Sequence, residues 1–296
     1  SVILKNMKKV LLLLFAIIFI GCVEKKENDL SEKSLKGKVK MISELSYKAI
    51  EKFGSPVKAN LDTKWNYIFD KKGNEIEKNK FNISEELVEK TVTNYDKNDN
   101  LTDKIEYNAN SDLERKYYYK HDVNGNIIEV NEYNGNNKLS LKNIYKHDEE
   151  GNEIEHSIYW SDGNLRIKWT SKYDKKSNKI ESLEHGGSVR NTYVYDNNRN
   201  LVERNLYDVY NLIENDGTIS YGGENLRYKW IFKYNKMGHL IEETIYNNND
   251  IIDFMRIFKY EFDEKENWIV KTQFEGFEEG KIKATEIIER KIEYYN

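Results

Sequence analysis

Aromatic and aliphatic residues alternate with polar ones in short runs, and a turn signal ends each run. Residues 65–69 place aromatic side chains at every second position, and Asp70 follows with Lys71, Lys72, Gly73 and Asn74. Asp accepts a hydrogen bond from the backbone two residues on, and Gly adopts the positive φ that a short hairpin loop needs. The pattern therefore predicts a strand, a tight turn and a second strand.

This turn recurs with a nearly constant period. Its aspartates lie 26 residues apart from Asp70 through Asp174, and Asp196 and Asp263 continue the series at less regular spacing. Repetition at 20 to 50 residues is typical of stacked units that bury their surfaces only against neighbours. The residues predicted to shape the turns are Asp70, Gly73, Asn74, Asp96, Asp122, Gly125, Asn126, Asp148, Gly151, Asn152, Asp174, Asp196, Gly238 and Asp263.

The strands after each turn have period two. Counting from the turn Asn, the second residue is usually aliphatic, the third acidic and the seventh aromatic, as in Ile128, Glu129 and Tyr133. Alternation places the acid and the aromatic on one face and the aliphatic residue on the other. In the strands before the turns, aromatics share a face and predict ladders in which each cross-strand pair contributes about 0.2–1 kcal/mol. We therefore expect an all-β fold: an antiparallel β-meander of about sixteen strands from tandem hairpin repeats of about 26 residues, as a twisted or curled elongated sheet.

The repeat domain is predicted over residues 35–296. Residues 35–48 read as a capping strand, 49–63 as a loop, and 281–295 as the final strand that closes the sheet. An insertion at 208–225 interrupts the repeats. Insertions of this kind form loops on one face, often the binding face, although a plain hairpin with no role is the alternative.

Composition limits the core. Charged residues make up 33% of the chain and hydrophobic residues only 38%. Such a chain is too polar for a thick core buried on both sides. Solvent must reach much of the predicted sheet.

The first 22 residues have the layout of a lipoprotein signal peptide. Two lysines at 8–9 precede the apolar run 10–20, which is too short to span a bilayer, and Gly21 and Cys22 follow. The segment 19–22 resembles the lipobox of bacterial lipoproteins, with Phe19 where Leu is usual. The resemblance implies cleavage before Cys22, lipid on its thiol and a membrane-anchored protein of the bacterial cell envelope, at the outer membrane or cell surface. A plain signal peptide with an incidental Cys is the alternative.

Residues 23–34 are polar without apolar periodicity and read as a flexible tether. Cys22 is the only cysteine, so no disulfide within the chain is expected. Without the three lysines that precede Cys22, the 47 basic residues become 44, which against 51 acidic ones leaves a net charge of −7. Phosphate binding needs a basic face, so we expect no nucleic-acid partner.

Catalytic and metal-binding patterns are absent from the sequence. His121 and His147 occupy equivalent repeat positions rather than a triad, and a row of repeated acids is more simply a solvated or lysine-paired stripe than a glycosidase pair. One carboxylate per turn is too few for calcium, which takes six to eight oxygen ligands. We expect no enzyme activity, catalytic residue, metal or cofactor.

Binding is the remaining function class. Tyr and Trp combine a large apolar area with a polar handle and suit glycan or protein ligands, but the same residues also hold a thin sheet together. The candidates that lie off the repeat pattern are Trp160, beyond the end of a strand, and Tyr210 and Tyr221 in the insertion.

The element Phe69-Asp70-Lys71-Lys72-Gly73-Asn74, with its looser copy at 195–200, resembles the YD repeats of rearrangement-hotspot (RHS) proteins and of small RHS-repeat-like lipoproteins. The resemblance covers about residues 60 to 275 and implies meandering strands that can curl into a shell, sometimes around a toxin. This chain is too short for a full shell and lacks the self-cleaving segment and C-terminal toxin of that family. We expect a lipid-anchored ligand-binding protein; an immunity or toxin-neutralising protein and a structural envelope spacer are the alternatives.

Overall fold

The computed structural model describes residues 28–185, 189–213, 219–278 and 280–296, which contain eighteen strands and one short helix. The helix α1 is Asp29–Glu32. The strands are β1 Val39–Lys52, β2 Ser55–Phe69, β3 Glu75–Phe81, β4 Leu87–Tyr95, β5 Leu101–Asn108, β6 Leu113–His121, β7 Ile127–Asn134, β8 Leu139–His147, β9 Glu153–Trp160, β10 Leu165–Tyr173, β11 Lys179–His185, β12 Val189–Tyr195, β13 Leu201–Ile213, β14 Ile219–Tyr234, β15 Leu240–Asn247, β16 Ile252–Phe262, β17 Trp268–Gly276 and β18 Lys283–Tyr294.

Every strand pairs antiparallel with the next, and β1 also pairs with β18, so the sheet closes on itself. We call the β1–β18 junction the seam. The all-β antiparallel meander and the final strand are confirmed. The prediction of about sixteen strands in a twisted or curled elongated sheet is corrected to eighteen strands in a closed sheet. Closure removes the two edge strands that an open meander would expose.

The loop predicted over residues 49–63 is wrong. Residues of β1 and β2 pair up to Lys52 and Ser55 around a turn at Phe53 and Gly54. Beyond the last pair of β1 with β18, at Lys48, this hairpin projects as a two-stranded arm. Pro56 is tolerated there because no further strand needs its missing N–H.

The insertion forms a second arm. Strands β13 and β14 remain paired from Val209 to Ile213 and from Ile219 to Glu224, past the last pair of β13 with β12, at Asp208. Both arms project from the same rim of the sheet, the rim where β2 and β14 begin.

The two faces of the sheet differ in chemistry. Strands that enter the Asp turns carry aromatics on one face, such as the buried Phe69 and Phe258, and exposed lysines such as Lys259 on the other. On this charged face Glu129 pairs with Lys120 and Lys142 at 2.7 and 3.0 Å. Glu155 of β9 pairs with Lys146 and Lys168, and Glu181 of β11 pairs with Lys172. These ion pairs confirm the predicted stripe of lysine-paired acids.

Aromatic ladders across every strand do not form. Strands that enter the Asp turns alternate with strands that leave them. The aromatic rows of neighbouring units are therefore separated by one intervening strand and do not touch side by side. The close ring contacts run along a strand, as between Trp65 and Tyr67 at 6.2 Å, or to a ring on the intervening strand, as between Tyr145 and His156 at 4.4 Å.

Tyrosine hydroxyl groups connect successive units instead. The hydroxyl of Tyr173 donates to the carbonyl of Glu153 at 2.8 Å, and that of Tyr234 to the carbonyl of Leu201 at 2.9 Å. Tyr95 and Tyr260 make the same bond. Each acceptor is the first residue of the strand that follows an Asp turn. A hydrogen bond of this kind contributes about 0.5–1.5 kcal/mol, so the ties add up along the array.

The buried core is small and lies at the seam. Leu30 of α1 packs against Val39, Ile42 and Phe69, all nearly inaccessible to solvent. The predicted tether over 23–34 falls partly outside the described residues, but from Asn28 on the chain is docked against the sheet rather than free. Burial of Leu30 explains the difference, since an apolar side chain in a polar segment gains about 1.5–3 kcal/mol when fully buried.

Candidate binding surface

The Asp turns share one hydrogen-bond network. In the turn at 122–126, the Oδ1 atom of Asp122 accepts the N–H groups of Asn124 and Asn126 at 2.9 Å, and Oδ2 accepts the side-chain amide of Asn126 at 2.9 Å. Gly125 has a φ of 88° and donates its N–H to the Asp122 carbonyl. The repeated Asp and Asn are therefore a pair, with the carboxylate closing the loop and the amide buttressing it.

Eight turns form one rim of the sheet, which we call the Asp-turn rim because seven of them begin with Asp and one, at 235–239, begins with Asn: residues 70–74, 96–100, 122–126, 148–152, 174–178, 196–200, 235–239 and 263–267. The predicted turn residues all lie here: Asp70, Gly73, Asn74, Asp96, Asp122, Gly125, Asn126, Asp148, Gly151, Asn152, Asp174, Asp196, Gly238 and Asp263. The hydrogen bond from Asn126 lowers the pKa of Asp122. The corresponding amides lower the pKa of Asp148, Asp174 and Asp196.

The opposite rim repeats the turn with neutral Asn in place of Asp at the first position. At 82–86, 108–112, 134–138 and 247–251 the first residue is Asn, whose Oδ1 accepts two backbone N–H groups. The fourth residue again has positive φ, although it is not glycine: Glu85, Ser111, Asn137 and Asp250. Glycine is therefore not required by the turn. Charged residues occupy a quarter of the positions in these four turns, against half of the positions in the eight turns of the Asp-turn rim.

Large apolar side chains are exposed along this second rim, which we call the apolar rim. Phe53 at the tip of the first arm is fully exposed, and Ile83 and Phe277 are exposed by 68% and 69%. The other members are Ile50, Trp160, Leu165, Tyr210 and Ile251. At the turns of the Asp-turn rim only Val123 and Met237 are comparable.

The structure places the predicted binding residues on this rim but not in one pocket. Trp160 is half-exposed and takes the first position of a turn, with the Arg166 guanidinium 4.5 Å from its ring. Tyr210 is exposed in the second arm, where the backbone of Tyr221 pairs with Asn211. Four strand spacings separate β9 from β13, about 19 Å at the usual ~4.8 Å between strands.

Sequence reasoning missed Phe53, Ile83, Ile251 and Phe277. The available signal was an apolar residue inside or beside a turn, where polar residues are the rule. Phe53-Gly54 in particular marks the tip of the arm that was expected to be a loop. The turn at 82–86 carries the same signal, since Ile83 stands where other turns have charged or small residues.

Clefts between neighbouring Asp turns are a second feature. One of about 510 Å³ lies between the first two turns, where the Lys72 ammonium bonds Asp99 at 2.7 Å, and a similar one of about 530 Å³ lies between the turns at 148 and 174. Their acids already accept hydrogen bonds within the turns. No group of three or more His, Cys, Asp or Glu that could hold a metal occurs among the described residues.

The seam contains paired buried charges. The Arg290 guanidinium lies 3.3 Å from the ring of Trp268 and donates to Glu44 at 2.8 Å. Burial lowers the pKa of Lys271, which lies on the next strand. A buried ion pair across β1 and β18 favours a single closing register, because breaking it would leave an uncompensated charge.

The histidines show no catalytic arrangement in the described part of the chain. His121 and His147 each precede an Asp turn, at the ends of β6 and β8. His156 instead stacks on Tyr145 and bonds Asn143 through Nε2 at 2.9 Å, and burial lowers its pKa. Cys22, the predicted lipidation site, lies outside the described residues.

The described residues contain no helix long and apolar enough to cross a membrane. No family model matches this chain, so the RHS resemblance has no confirmation from that comparison, and no curated protein matches it.

Three solved structures are similar to this chain at 9–12% identity. A porin-like protein from Bacteroides uniformis has a TM-score of 0.44 at 10% identity, covering 86% of this chain and 98% of that one. A porin-like protein from Bacteroides vulgatus has a TM-score of 0.33 at 9% identity, covering 88% and 99%. The TcdB2-TccC3 structure without its hypervariable C-terminal region has a TM-score of 0.27 at 12% identity, covering 81% of this chain and 16% of that one.

Proposed function

We propose that this chain is a lipid-anchored binding protein of the bacterial cell envelope, and that its apolar rim binds a protein partner. The observation that carries the proposal is the row of exposed apolar side chains on the turns and the two arms of one rim. Contiguous exposed apolar surface rimmed by polar residues marks interaction sites in soluble domains.

The composition of the rim favours a protein over a glycan. Sugar rings stack on aromatic faces flanked by polar groups, whereas Ile83, Leu165 and Ile251 offer branched aliphatic surface. Aliphatic and aromatic anchors with few charges are typical of the centre of a protein–protein interface. Trp160, stacked on Arg166, supplies the side-chain types that most often dominate binding energy.

The envelope assignment rests on the N-terminal signal. The segment at 19–22 ends in the only cysteine of the chain. Acyl chains on that thiol would hold the protein to a membrane, since each buried methylene contributes about 0.8 kcal/mol. A partner in the same compartment would then meet the rim at high local concentration.

The test compares two triple variants of the lipidated protein. One carries Phe53→Ser, Ile83→Ser and Phe277→Ser on the apolar rim, and the control carries Tyr118→Ser, Val123→Ser and Val194→Ser, which remove exposed apolar side chains elsewhere. Partners are captured by crosslinking in the envelope, purified and titrated against each variant.

We expect the rim triple to weaken binding of the purified partner at least tenfold and the control triple to leave it unchanged. Equal binding by both variants, or binding of envelope glycans without any protein partner, would refute the proposal. If the captured partner is a toxin, the apolar rim is a toxin-neutralising surface, which is the alternative predicted from the sequence. If the protein is a structural envelope spacer, no captured partner should lose binding in the rim triple variant.

A further inference from the structure

The structure also bears on how the anchored protein is oriented. We propose that the part of the Asp-turn rim beside the seam lies against anionic headgroups of the bilayer that carries the lipid of Cys22, with the apolar rim pointing away. This inference rests on the lipid anchor of the proposed function. It names a second interaction surface, whose partner is a lipid bilayer.

The first observation is where the N-terminal segment docks. The side-chain amide of Asn28 donates to the Lys72 carbonyl at 2.6 Å, and the Leu30 N–H donates to the Gly73 carbonyl at 3.2 Å. Asp29 accepts the Glu75 N–H and the Tyr95 hydroxyl. The segment is thus fixed at the first Asp turn.

The segment then crosses the seam along the same rim. The Lys36 N–H donates to Asn267 Oδ1 at 2.7 Å, and the amide of Asn267 donates back to the Lys36 carbonyl at 2.9 Å. Asn267 belongs to the last Asp turn and is nearly inaccessible to solvent. The docked segment therefore joins the first and last turns, and the chain towards Cys22 leaves from this edge.

Chain length limits where the membrane can be. Five residues lie between Cys22 and Asn28, and the six Cα–Cα steps of an extended chain cover at most about 20 Å. The eight-residue strands that connect the rims, such as β5 and β7, span about 27 Å at ~3.4 Å per residue. The lipid therefore reaches the Asp-turn rim with slack, whereas the apolar rim and its arms lie beyond its reach.

Charge supplies the second, independent observation. The turns on both sides of the seam present exposed lysines at their tips: Lys71, Lys72, Lys97, Lys236 and Lys265. Of these, Lys71, Lys97 and Lys236 form no ion pair with the described residues. Exposed acids also lie beside the seam: Glu264 and Glu266 flank Lys265, with Glu266 paired to Lys36 and Asp99 paired to Lys72. Glu149 and Glu150 form a further acidic tip in the fourth turn, several strands from the seam.

An arc of lysines around the exit of a lipid-bearing segment suits an anionic bilayer. Lysine side chains near a membrane surface are attracted by anionic headgroups within about one Debye length, ~8 Å at physiological salt. The lipid supplies the affinity and the lysines fix which edge faces the bilayer.

The experiment uses lipidated protein in vesicles of phosphatidylglycerol and phosphatidylethanolamine with nitroxide-labelled headgroups. Because Cys22 is the only cysteine and is acylated, Met237→Cys or Ile83→Cys introduces a single free thiol for a fluorophore. We expect the label at Met237→Cys, on the Asp-turn rim, to be quenched at least threefold more than the label at Ile83→Cys. Equal or reversed quenching in membrane-bound protein would overturn the orientation.

A charge-reversal pair tests the lysine arc. Lys71→Glu, Lys97→Glu and Lys236→Glu combined should reduce the quenching at Met237→Cys by at least half. The control triple Lys48→Glu, Lys52→Glu and Lys138→Glu reverses exposed lysines towards the apolar rim and should leave the quenching unchanged. Equal effects of the two triples would refute the role of the arc.

Mass spectrometry of the N-terminal peptide keeps the two proposals apart. If Cys22 carries no lipid and the protein does not bind vesicles, the anchor itself is wrong and the orientation fails with it. If Cys22 is acylated and the protein is bound but both labels are equally quenched, only the orientation is wrong.

Discussion

The two rims of the sheet share one turn geometry but differ in what surrounds it. On the Asp-turn rim seven of the eight loops are closed by an aspartate carboxylate and the 235–239 loop by the amide oxygen of Asn235. Tyrosine hydroxyls tie several units together, and the N-terminal segment docks across this rim. On the apolar rim the loops are closed mainly by neutral Asn, and two arms project, the first with Phe53 exposed at its tip. One rim thus has the denser hydrogen-bond network, and the other exposes more of the large apolar side chains.

The difference shows that a repeat protein can separate its tasks by varying residues at fixed positions. The backbone of the turn is the same at both rims, so the fold does not depend on which side chains occupy the tips. Charged turn residues are concentrated on the Asp-turn rim, while exposed apolar side chains at turns and arms are concentrated on the other. Each of the following predictions compares the two rims directly.

The largest expected contrast is between two phenylalanines. Phe69 at the Asp-turn rim is fully buried against Leu30, Val39 and Ile42, whereas Phe53 on the apolar rim is fully exposed. Phe69→Ala should lower the free energy of unfolding by about 3–5 kcal/mol, because it leaves a cavity. Phe53→Ala should change it by less than about 0.5 kcal/mol. Urea unfolding monitored by circular dichroism measures both, and a similar loss at the two positions would contradict the assignment of the core.

Acid should weaken the Asp-turn rim first. Hydrogen bonds from the turn amides hold the pKa of Asp122, Asp148 and Asp174 below its usual value, so folding favours the ionised form. The stability they contribute is present above the unfolded pKa of about 3.9 and is lost as the pH falls through the folded pKa. Glu129, held to a pKa of about 2 against burial by its bonds to Lys120 and neighbours, acts in the same direction.

Hydrogen exchange at pH 7 and pH 3 checks this prediction. Amides of the Asp turns should lose protection at pH 3, while those of the Asn turns keep theirs. A variant with Asn at 122, 148 and 174 should show a smaller stability difference between the two pH values. A difference as large as in the unmodified protein would show that other carboxylates control the acid response.

Removing one tyrosine tie should have a moderate effect. Tyr173→Phe deletes the hydrogen bond to the Glu153 carbonyl and should cost about 0.5–1.5 kcal/mol. Tyr159→Phe, on the neighbouring strand towards the apolar rim, removes a hydroxyl that bonds no described residue and should be close to neutral. Thermal unfolding of the two variants side by side measures the contrast, and equal midpoints would argue against the ties.

The smallest effect concerns the positive-φ position shared by both rims. Ser177 on the Asp-turn rim and Asn137 on the apolar rim have φ of 59° and 57°. Ser177→Gly should stabilise by a few tenths to about 1 kcal/mol, since a non-glycine residue is strained there. Asn137→Gly should gain less because Asn tolerates this conformation. Chemical denaturation measures the free energy of unfolding of both variants. A lower free energy of unfolding for both would show that the positive φ is not strained in the folded protein.

Much of the fold was readable from local signals. The Asp-to-Asn turn is encoded in five residues, and its recurrence predicts the hairpins, their direction and the antiparallel meander. The lysine-paired acidic stripe also follows from alternation. The binding candidates were harder to predict from the sequence. Trp160 and Tyr210 stand out as departures from the repeat. Phe53 and Ile83 were missed, because a single apolar residue at a turn indicates a surface only when the fold shows which turns share a rim.

The sequence by itself determined the repeating unit, since turn chemistry and strand alternation act over a few residues and need no distant partner. Closure of the sheet, the docking of Leu30 and the separation into a charged and an apolar rim were decided only in the tertiary structure. They depend on β1 meeting β18 and on Asn28 meeting Lys72, contacts between residues far apart in the chain. No local pattern specifies such contacts, because their free energy comes from burial and pairing that exist only once the whole sheet has formed.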